Sequence, residues 1–425
     1  MVEPSAEALV AAYGSPLYVY DLARVEAAYR DLRAALPAPS SLLYSMKANP
    51  HPLIAARLRQ AGCRLEVSSP GELSAASRAG ADGHDVLYTG PAKGLAELDR
   101  AVAGGVRSFS VESFAELRRL GQVAARRGVD LTALLRVNGG GAVGAPGLRM
   151  TGTATQFGID AETLAAEWSP DLVPDRVRVT GLHLFPVTNA RDEDQLLDEL
   201  AAAVDTAVEI VRACRLDPEV LDLGGGFGAP YAAPGSRPAY PRLRAEAAKR
   251  LDEAFPGWRT GSPEVTFESG RYLVAECGTL LTTVVDVKRT RGRTYALLDA
   301  GISVLGGMTG LGRLLPMRAA PVARPGSPGD VPVVDLAGPS CTPLDVLGRN
   351  VPLPGARPGM VLAIPNVGAY GLSASLIGFL SRPMPAEVLL DGEQVVACSR
   401  PEIHHVPVTP ARSGPDSRGH DSATG

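Results

Sequence analysis

The sequence predicts an α/β fold in two parts: a (β/α)8 TIM-type barrel, followed by a C-terminal antiparallel all-β domain. Eight short apolar segments alternate with helix-patterned stretches between residues 41 and 268, and eight is the strand count of a closed parallel barrel. Beyond residue 271 the helical periodicity disappears, and short alternating segments separated by Gly and Pro turns replace it. A chain of 425 residues is also too long for one ordinary core.

The domain limits follow from these changes of pattern. Residues 1–36 contain a short helix, an alternating strand at 16–20 and an amphipathic helix at about 22–35, with Asp21 as its N-cap. We expect this N-terminal segment to join the β domain. The barrel then spans 37–271, the β domain 272–407, and the polar tail 408–425 is predicted to be disordered.

Each element is assigned from its own pattern. The predicted barrel strands are 41–46, 64–68, 85–89, 107–111, 131–137, 178–185, 219–223 and 264–268. The helices expected between them are 53–61, 71–79, 95–103, 114–127, 192–214 and 242–254. In the β domain we expect strands at 279–288, 293–299, 331–336, 359–364 and 386–390, with an extended arm or loop at 313–330. An open doubly wound sheet with fewer strands is the alternative to the barrel.

Composition and charge exclude several classes of function. A net charge of −4 and a pI near 5.9 give no basic face for nucleic acid. No apolar run reaches about 18 residues, so we expect no membrane span, and the N-terminus lacks a signal-peptide pattern. Five scattered cysteines without CxxC spacing argue against a disulfide framework or zinc site and favour a reducing, cytoplasmic location. The six histidines form no HExxH-type cluster, so no metal is predicted.

The segment SLLYSMKANP, residues 41–50, places Lys47 where the first barrel strand ends. The chain has only four lysines among 42 basic residues, so a lysine at this position invites a chemical explanation. A primary amine can form a Schiff base, whereas a guanidinium cannot. The alternative is a lysine that simply extends from the strand end into solvent.

Two later strand ends carry residues suited to an anionic cofactor. LDLGGGFG, residues 221–228, can form an anion-binding nest of N–H groups or merely a tight turn, and it matches neither Walker A nor GxGxxG. FESGRY, residues 267–272, places Glu268 at a strand end and Arg271 three residues later. If Lys47 carries an aldehyde cofactor with a pyridine ring, Glu268 could keep the ring nitrogen protonated and Arg271 could hold the phosphate. The alternative is a surface ion pair.

Two motifs of the predicted β domain have similar alternatives. GPSCTPLD, residues 338–345, presents the thiol of Cys341 and a hydroxyl in a turn closed by Asp345, and such a turn can be purely structural. NVGAYG, residues 366–371, places Tyr370 between glycines, as a phosphate-binding hydroxyl or as a packed turn aromatic.

The unusual polar residues of the barrel half share one location. All lie at, or just after, the carboxyl end of a predicted strand: Lys47, Ser68, Thr89, Glu112, Arg136, His183 to Thr188, Gly224 to Gly226, and Glu268 to Arg271. In a (β/α)8 barrel these ends form one face, where active sites lie. The set therefore predicts a single site.

Read together, the motifs resemble those of the barrel-type (alanine-racemase-like, fold type III) pyridoxal-phosphate decarboxylases of ornithine, arginine and diaminopimelate. The likeness runs in order over about residues 14–400. YSMKANP resembles the family's Schiff-base lysine motif, DLGGGFG its phosphate loop, ESGR its EPGR motif, GPSC its GP-x-C motif and GAYG its phosphate-tyrosine motif.

The resemblance implies a role for each matching residue. Lys47 would form the Schiff base with the cofactor, and Glu268 would face its pyridinium nitrogen. The phosphate would be bound by four residues, Gly225, Gly226, Arg271 and Tyr370. Cys341, delivered from the partner subunit of a homodimer with shared active sites, would protonate the α-carbon after carbon dioxide leaves.

Two departures from the family pattern concern the pocket. In GLHLFPVTN, residues 181–189, His183 is kept, but Phe185 stands where a histidine usually stacks on the cofactor ring. Thr188 stands where a serine usually contacts phosphate. An aromatic side chain can still stack, so we interpret both changes as variation within the family.

A third departure concerns the substrate. In diaminopimelate decarboxylases a Glu-Ser pair follows the cysteine and recognises the distal amino acid centre, whereas here Thr342 and Pro343 follow. The resulting CTPLD motif is similar to the branch that decarboxylates citryl amino acids in siderophore assembly or carrier-linked glutamyl groups in antibiotic assembly. The resemblance therefore implies α-decarboxylation of an amino acid or amino-acid conjugate, with Thr342 and Asp345 as substrate-binding residues.

Three other interpretations stay open. The chain could be a plain diaminopimelate decarboxylase of lysine biosynthesis. A racemase on the same barrel is disfavoured, because GPSC would then have no role. A non-catalytic homologue that regulates a partner enzyme is disfavoured by the presence of Lys47, Glu268 and Cys341 together. The Gly-rich insertion at about 138–157, with Arg149, is a candidate part of the pocket.

Overall fold

The computed structural model describes residues 4–139, 155–186, 188–190, 192–306, 318–322 and 332–408. Most of the insertion at 138–157, including Arg149, lies outside these ranges, as does most of the arm expected at 313–330. Residues 409–425 of the predicted disordered tail also lie outside the described residues.

The chain begins with α1 (Ala6–Tyr13), β1 (Leu17–Asp21) and α2 (Leu22–Ala35). Asp21 caps α2, because its carboxylate accepts the N–H groups of Ala23 and Arg24. The buried residues of α2 lie on one face of the helix, at Leu22, Val25, Ala28 and Leu32.

Eight parallel strands then form a closed barrel. The strands of this region are β2 (Ser41–Ser45), β3 (Arg64–Val67), β4 (Val86–Tyr88), β5 (Ser108–Val111), β6 (Leu131–Asn138), the two-residue β7 (Ile159–Asp160), β8 (Val177–Leu184), β9 (Val220–Asp222) and β10 (Glu264–Ser269). Around the barrel the order is β5-β4-β3-β2-β10-β9-β8-β6, closed by β6 pairing with β5, while β7 pairs only with β6. The predicted (β/α)8 barrel is confirmed.

Several helices of the barrel begin at polar caps that follow the strands. The barrel helices are α3 (Pro52–Gln60), α4 (Pro70–Arg78), α5 (Leu95–Ala103), α6 (Phe114–Arg127), α7 (Ala161–Glu167), α8 (Glu193–Cys214), α9 (Leu243–Ala254) and the short α10 (Arg271–Val274). Ser69 and Ser113 accept the N–H groups of Glu72 and Glu116 at 3.2 and 3.1 Å. These caps close short loops, which hold the carboxyl ends of the strands at one face.

A second sheet forms the rest of the structure. Its strands are β1 together with β11 (Gly278–Thr290), β12 (Arg293–Leu298), β13 (Val333–Ala337), β14 (Val346–Pro352), β15 (Val361–Ile364), β16 (Ala386–Asp391) and β17 (Gln394–Ser399). The order is β14-β13-β12-β11-β1-β16-β17, with β15 also paired to β11. The N-terminal segment thus supplies a central strand of this sheet.

The all-β architecture of the second part is confirmed, with two differences in detail. β1 runs parallel to β16, and β12 runs parallel to β13, whereas the other pairings are antiparallel. Both parallel pairs join strands separated by long connections, which parallel pairing requires. β14 and β17 were not predicted, because neither shows an alternation of apolar and polar residues. β14 contains Gly and Pro, and nearly every residue of the edge strand β17 is exposed.

The barrel interior is apolar in one layer and polar above it. Leu43, Leu87 and Leu134 form a buried cluster inside the barrel, with Val220 packed against it. The residues nearer the strands' carboxyl ends are polar and buried, among them Glu66, His183 and Glu268. Among the described residues, none of the helices combines the length and apolar character needed to cross a bilayer.

Candidate active site

Lys47 lies in the 3-10 turn Met46–Ala48, directly after β2. Its Nζ donates to both carboxylate oxygens of Glu66, at 3.2 and 3.3 Å, on the neighbouring strand β3. Glu66 is 2% exposed, whereas 38% of the Lys47 side chain stays accessible. Burial lowers the pKa of Lys47, but the carboxylates of Glu66 and Glu268 outweigh it, so the pKa is raised above its ordinary value. The amine is therefore a cation positioned by Glu66.

Glu66 was not among the predicted site residues. The hydroxyls of Thr89 and Ser68 donate to its Oε1, in addition to Lys47. Burial raises the pKa of Glu66, but Lys47 and the neighbouring hydroxyls lower it by a larger amount. The pKa therefore lies below its ordinary value, and the carboxylate stays ionised. The available signal was a glutamate inside a four-residue buried strand, RLEV, where a charged side chain must face the barrel interior.

Glu268 lies on β10 in a cluster with His183 of β8 and Asp222 of β9. One ring nitrogen and two carboxylate oxygens of these residues lie within 4.8 Å of one another, and all three side chains are buried. The Nε2 of His183 is 3.4 Å from Oε1 of Glu268, and its Nδ1 is 2.7 Å from Oγ of Ser110. Burial lowers the pKa of His183, with Arg136 and Lys47 acting in the same direction, so the imidazole is neutral.

Phe185 follows β8 and lies beside the amine. The Lys47 Nζ is 5.5 Å from the centre of its ring, and the guanidinium carbon of Arg136 is 6.0 Å from it. Arg136 is itself buried and paired with Glu112 at 2.8 Å. The ring of Phe185 therefore lies beside the amine of Lys47, whereas His183 lies against Glu268. Thr188 lies in the loop after β8 and is partly exposed.

The predicted phosphate-binding residues come from three separate loops. Gly225 and Gly226 follow β9, and a Cβ on Gly225 would lie 2.0 Å from the carbonyl oxygen of Glu268, so only glycine fits. Arg271 begins α10, and its guanidinium carbon lies 4.7 Å from the centre of the Tyr370 ring. The N–H of Tyr370 donates to the carbonyl of Ala48 at 2.8 Å, which joins the second domain to the Lys47 turn.

The Cys341 loop is exposed and lies on the second sheet, after β13. No recorded contact among the described residues joins its thiol to Lys47. Asp345 is 2% exposed, and its two oxygens accept the N–H groups of Ile302 and Ser340 at 2.8 and 2.7 Å. This geometry favours a role for Asp345 in shaping the loop over the predicted contact with substrate. Thr342 is partly exposed, and its hydroxyl accepts the N–H of Leu344.

The set of donors fits pyridoxal phosphate. An amine is available for the aldehyde, a buried carboxyl for the ring nitrogen, and glycine N–H groups with a guanidinium for the phosphate. Within the part of the chain that the structure describes, His183 Nε2, Glu268 Oε1 and Arg271 Nε are buried without a hydrogen-bond partner. Burying a polar atom without a hydrogen-bond partner costs free energy, and a bound ligand can supply the partner. These atoms therefore support a cofactor site here.

Comparisons with known proteins identify a family that binds pyridoxal phosphate. Residues 22–275 match the model of the family described as "Pyridoxal-dependent decarboxylase, pyridoxal binding domain". The L-glutamyl-[BtrI acyl-carrier protein] decarboxylase of Niallia circulans is 32% identical over 394 residues, which cover 90% of each chain. The diaminopimelate decarboxylase of Deinococcus radiodurans is 34% identical over 381 residues, covering 89% of this chain and 91% of that protein.

The fold agrees as well. The crystal structure of diaminopimelate decarboxylase from M. jannaschii in complex with L-lysine is 25% identical, covers 92% of this chain and 90% of that one, and superposes with a TM-score of 0.76. The family match covers more than half of the 425 residues. The cofactor is therefore pyridoxal phosphate. The chain belongs to the family of pyridoxal-dependent decarboxylases.

Proposed function

We propose that the chain removes the α-carboxylate of an amino acid that is attached to a larger group, either a carrier protein or citrate. The observation that carries this proposal is the exposed Cys341 loop, which presents the uncharged Thr342 and Pro343 beside the cysteine. A free substrate with a second charged amino acid centre would require a partner for that charge. The likeness to a decarboxylase of an acyl-carrier-protein-linked glutamyl group supports the same substrate class.

The site's residues suit this reaction as follows. Lys47 provides the amine that holds the cofactor, and Glu66 keeps that amine oriented towards the centre of the barrel. Bound pyridoxal phosphate supplies an electron sink for the negative charge left on the α-carbon when carbon dioxide departs. Glu268 would stabilise the protonated ring nitrogen, and His183 Nε2 lies 3.4 Å from its Oε1. Phe185 offers its face to the ring and excludes water from it.

Cys341 is proposed to return the proton to the α-carbon. Its thiol is exposed in the single chain, and nothing recorded among the described residues links it to Lys47, so we propose that a second copy of the chain delivers it. The protein would then be a homodimer in which each copy contributes Lys47 to one site and Cys341 to the other.

The cofactor attachment is tested first. Borohydride reduction of the purified protein should fix the cofactor covalently to the peptide that contains Lys47, as measured by mass spectrometry. Lys47→Ala should abolish both the labelling and turnover, whereas Lys249→Ala, an exposed lysine on α9, should leave both unchanged. Normal turnover in Lys47→Ala would contradict the assignment.

The substrate is tested by offering three amino acids in parallel. We expect carbon dioxide release from a carrier-protein-linked glutamyl group or from a citryl amino acid, and little from free diaminopimelate. Faster turnover of free diaminopimelate would replace the proposal with the lysine-biosynthesis alternative. No release from any amino acid substrate by the cofactor-loaded protein would favour the non-catalytic homologue.

The shared site is tested by mixing two inactive variants, Lys47→Ala and Cys341→Ala. Random exchange of subunits should restore roughly a quarter of the wild-type activity, because half of the dimers are hybrids with one intact site. The exposed Cys398→Ala is the matched control and should keep full activity. Failure of the mixture to regain activity, although exchange is demonstrated, would show that each chain carries a complete site.

A further inference from the structure

Two buried carboxyl groups meet at the centre of the barrel. Asp222 is 0% exposed and Glu268 is 1% exposed. In the register of the barrel, Asp222 lies opposite His183 on β8 and opposite Thr266 on β10, so it is one strand away from each. Carboxylate oxygens of Asp222 and Glu268 lie within 4.8 Å of each other. The proposed function uses Glu268 and leaves Asp222 without a role.

No cation in the described part of the chain is left to neutralise both carboxyl groups. Lys47 is paired with Glu66, and Arg136 is paired with Glu112 at 2.8 Å. The charged or titratable groups that face Asp222 from the surrounding strands are Glu66, Arg136, His183, Glu268 and, at the amino ends, Arg64, Arg178, Glu219 and Glu264. The last four form Arg–Glu pairs with one another. Two carboxylates this close in a low dielectric cannot both ionise cheaply.

The two carboxyl groups differ in their surroundings. Asp222 Oδ1 accepts the N–H of Gly224 at 2.8 Å, and the hydroxyl of Thr266 lies close enough to Asp222 to lower its pKa. Asp222 and Thr266 line a cavity of about 210 Å³ on the amino side of the barrel. The cavity is lined by charged residues at the amino ends of the strands as well as by the leucine cluster, and water beside the charged residues can accept a hydrogen bond from a carboxylic acid. Glu268 instead faces the neutral imidazole of His183.

Both carboxyl groups have raised pKa values. Burial raises the pKa of Asp222 to about 7, with Glu66 acting in the same direction and the Gly224 hydrogen bond opposing it. Burial, Glu66 and Asp222 likewise raise the pKa of Glu268. Two neighbouring carboxyl groups of this kind titrate as a pair.

We propose that Asp222 and Glu268 share one proton, so that Asp222 controls how far Glu268 is ionised towards the cofactor. Asp222 is then a positioning residue for Glu268. The proton exchanges with solvent through the amino-side cavity, away from the substrate. The assignment of the ionised Glu268 to the ring nitrogen rests on the proposed function, whereas the shared proton is a property of the chain alone.

The shared proton is measurable in the cofactor-free protein by infrared spectroscopy. Aspartate labelled with 13C at the side-chain carboxyl shifts the C=O band of a protonated aspartic acid but not that of a glutamic acid. This label is needed because burial also raises the pKa of Glu72, Glu116 and Glu387. Among the described residues, Asp222 is the aspartate with a raised pKa, so the labelled band reports on it.

We expect an isotope-shifted carboxylic acid band that disappears as the pH rises through about 7. The band should be missing in Asp222→Asn, which keeps an acceptor for the Gly224 N–H. In Glu268→Gln the midpoint should fall by about one pH unit or more, because the neighbouring negative charge is removed. An unchanged midpoint in Glu268→Gln would show that the two groups are not coupled.

Three further results would overturn the proposal. One is the absence of an isotope-shifted band in the wild-type protein at any pH below about 7. Another is persistence of that band in folded Asp222→Asn. The third is a divalent cation, found by elemental analysis at one per chain and lost in Asp222→Asn, since it would replace the proton. In the cofactor-loaded enzyme, Asp222→Asn should shift the pH dependence of the cofactor's absorption. If the wild-type chain did not bind the cofactor at all, that result would refute only the proposed function.

Discussion

His51 couples the acid stability of the protein to the turn that carries Lys47. It is the N-cap of α3, and its Nδ1 accepts the N–H of Leu53 at 3.2 Å, which only a neutral imidazole can do. Burial lowers the pKa of His51 to about 4, with Arg78 acting in the same direction. We predict that His51→Asn removes this sensitivity to acid, because asparagine caps a helix without titrating.

The magnitude follows from linkage. The unfolded chain binds a proton at His51 below an ordinary pKa of about 6.5, whereas the folded chain resists protonation until the pH approaches about 4. Between these values the unfolded state holds more protons, so the free energy of unfolding falls as the pH falls. A difference of roughly 2.5 units at 1.36 kcal/mol each gives a loss of about 3 kcal/mol, complete near pH 4.

The assay is urea denaturation of both proteins at about pH 7.5 and about pH 4.5, with His84→Asn, an exposed histidine, as control. At the higher pH the stabilities of wild type and His51→Asn should agree within about 0.5 kcal/mol. At the lower pH the variant should be more stable by about 2–3 kcal/mol. Equal losses on acidification in the wild type and in His51→Asn would refute the reasoning.

Three other substitutions test the site and its support. Gly225→Ala should weaken cofactor binding at least about tenfold, because its Cβ would lie 2.0 Å from a backbone carbonyl oxygen of β10. Gly94→Ala is the control and should not change the dissociation constant, because a Cβ there would meet no neighbouring atom within 4 Å. Lys93→Met should destabilise the protein by about 3–5 kcal/mol in thermal or chemical unfolding, because it leaves the 1% exposed carboxylate of Glu116 without its ion-pair partner. Adding Glu116→Leu to this variant should recover most of the lost stability. Phe185→Leu should weaken cofactor binding about two- to tenfold by removing the ring face, as measured by dialysis, and an unchanged affinity would exclude stacking.

Much of the barrel was predictable because its strands are short, apolar and regularly spaced. Helices α5 and α6 begin and end where the 3.6-residue pattern of apolar side chains placed them. β17 was missed for the opposite reason. An exposed edge strand carries no alternation of apolar and polar residues, so the sequence holds no period to detect.

The candidate site was predictable where one short motif carries the chemistry. Lys47 stands out as a lysine at a strand end, and the glycines around Gly225 stand out as a loop that no larger residue fits. Asp345 shows the limit of this reasoning. Its motif suggests a substrate contact, but folding buries its carboxylate against backbone N–H groups from two separate segments.

The sequence by itself determined the two-part architecture, the motifs and their order, because local periodicity and glycine requirements are written in neighbouring residues. The tertiary structure alone decided which charges meet. Glu66 reaches Lys47, and Asp222 reaches Glu268, because neighbouring parallel strands pair in one particular register. Electrostatic coupling falls with distance in space, and no spacing along the chain encodes that distance.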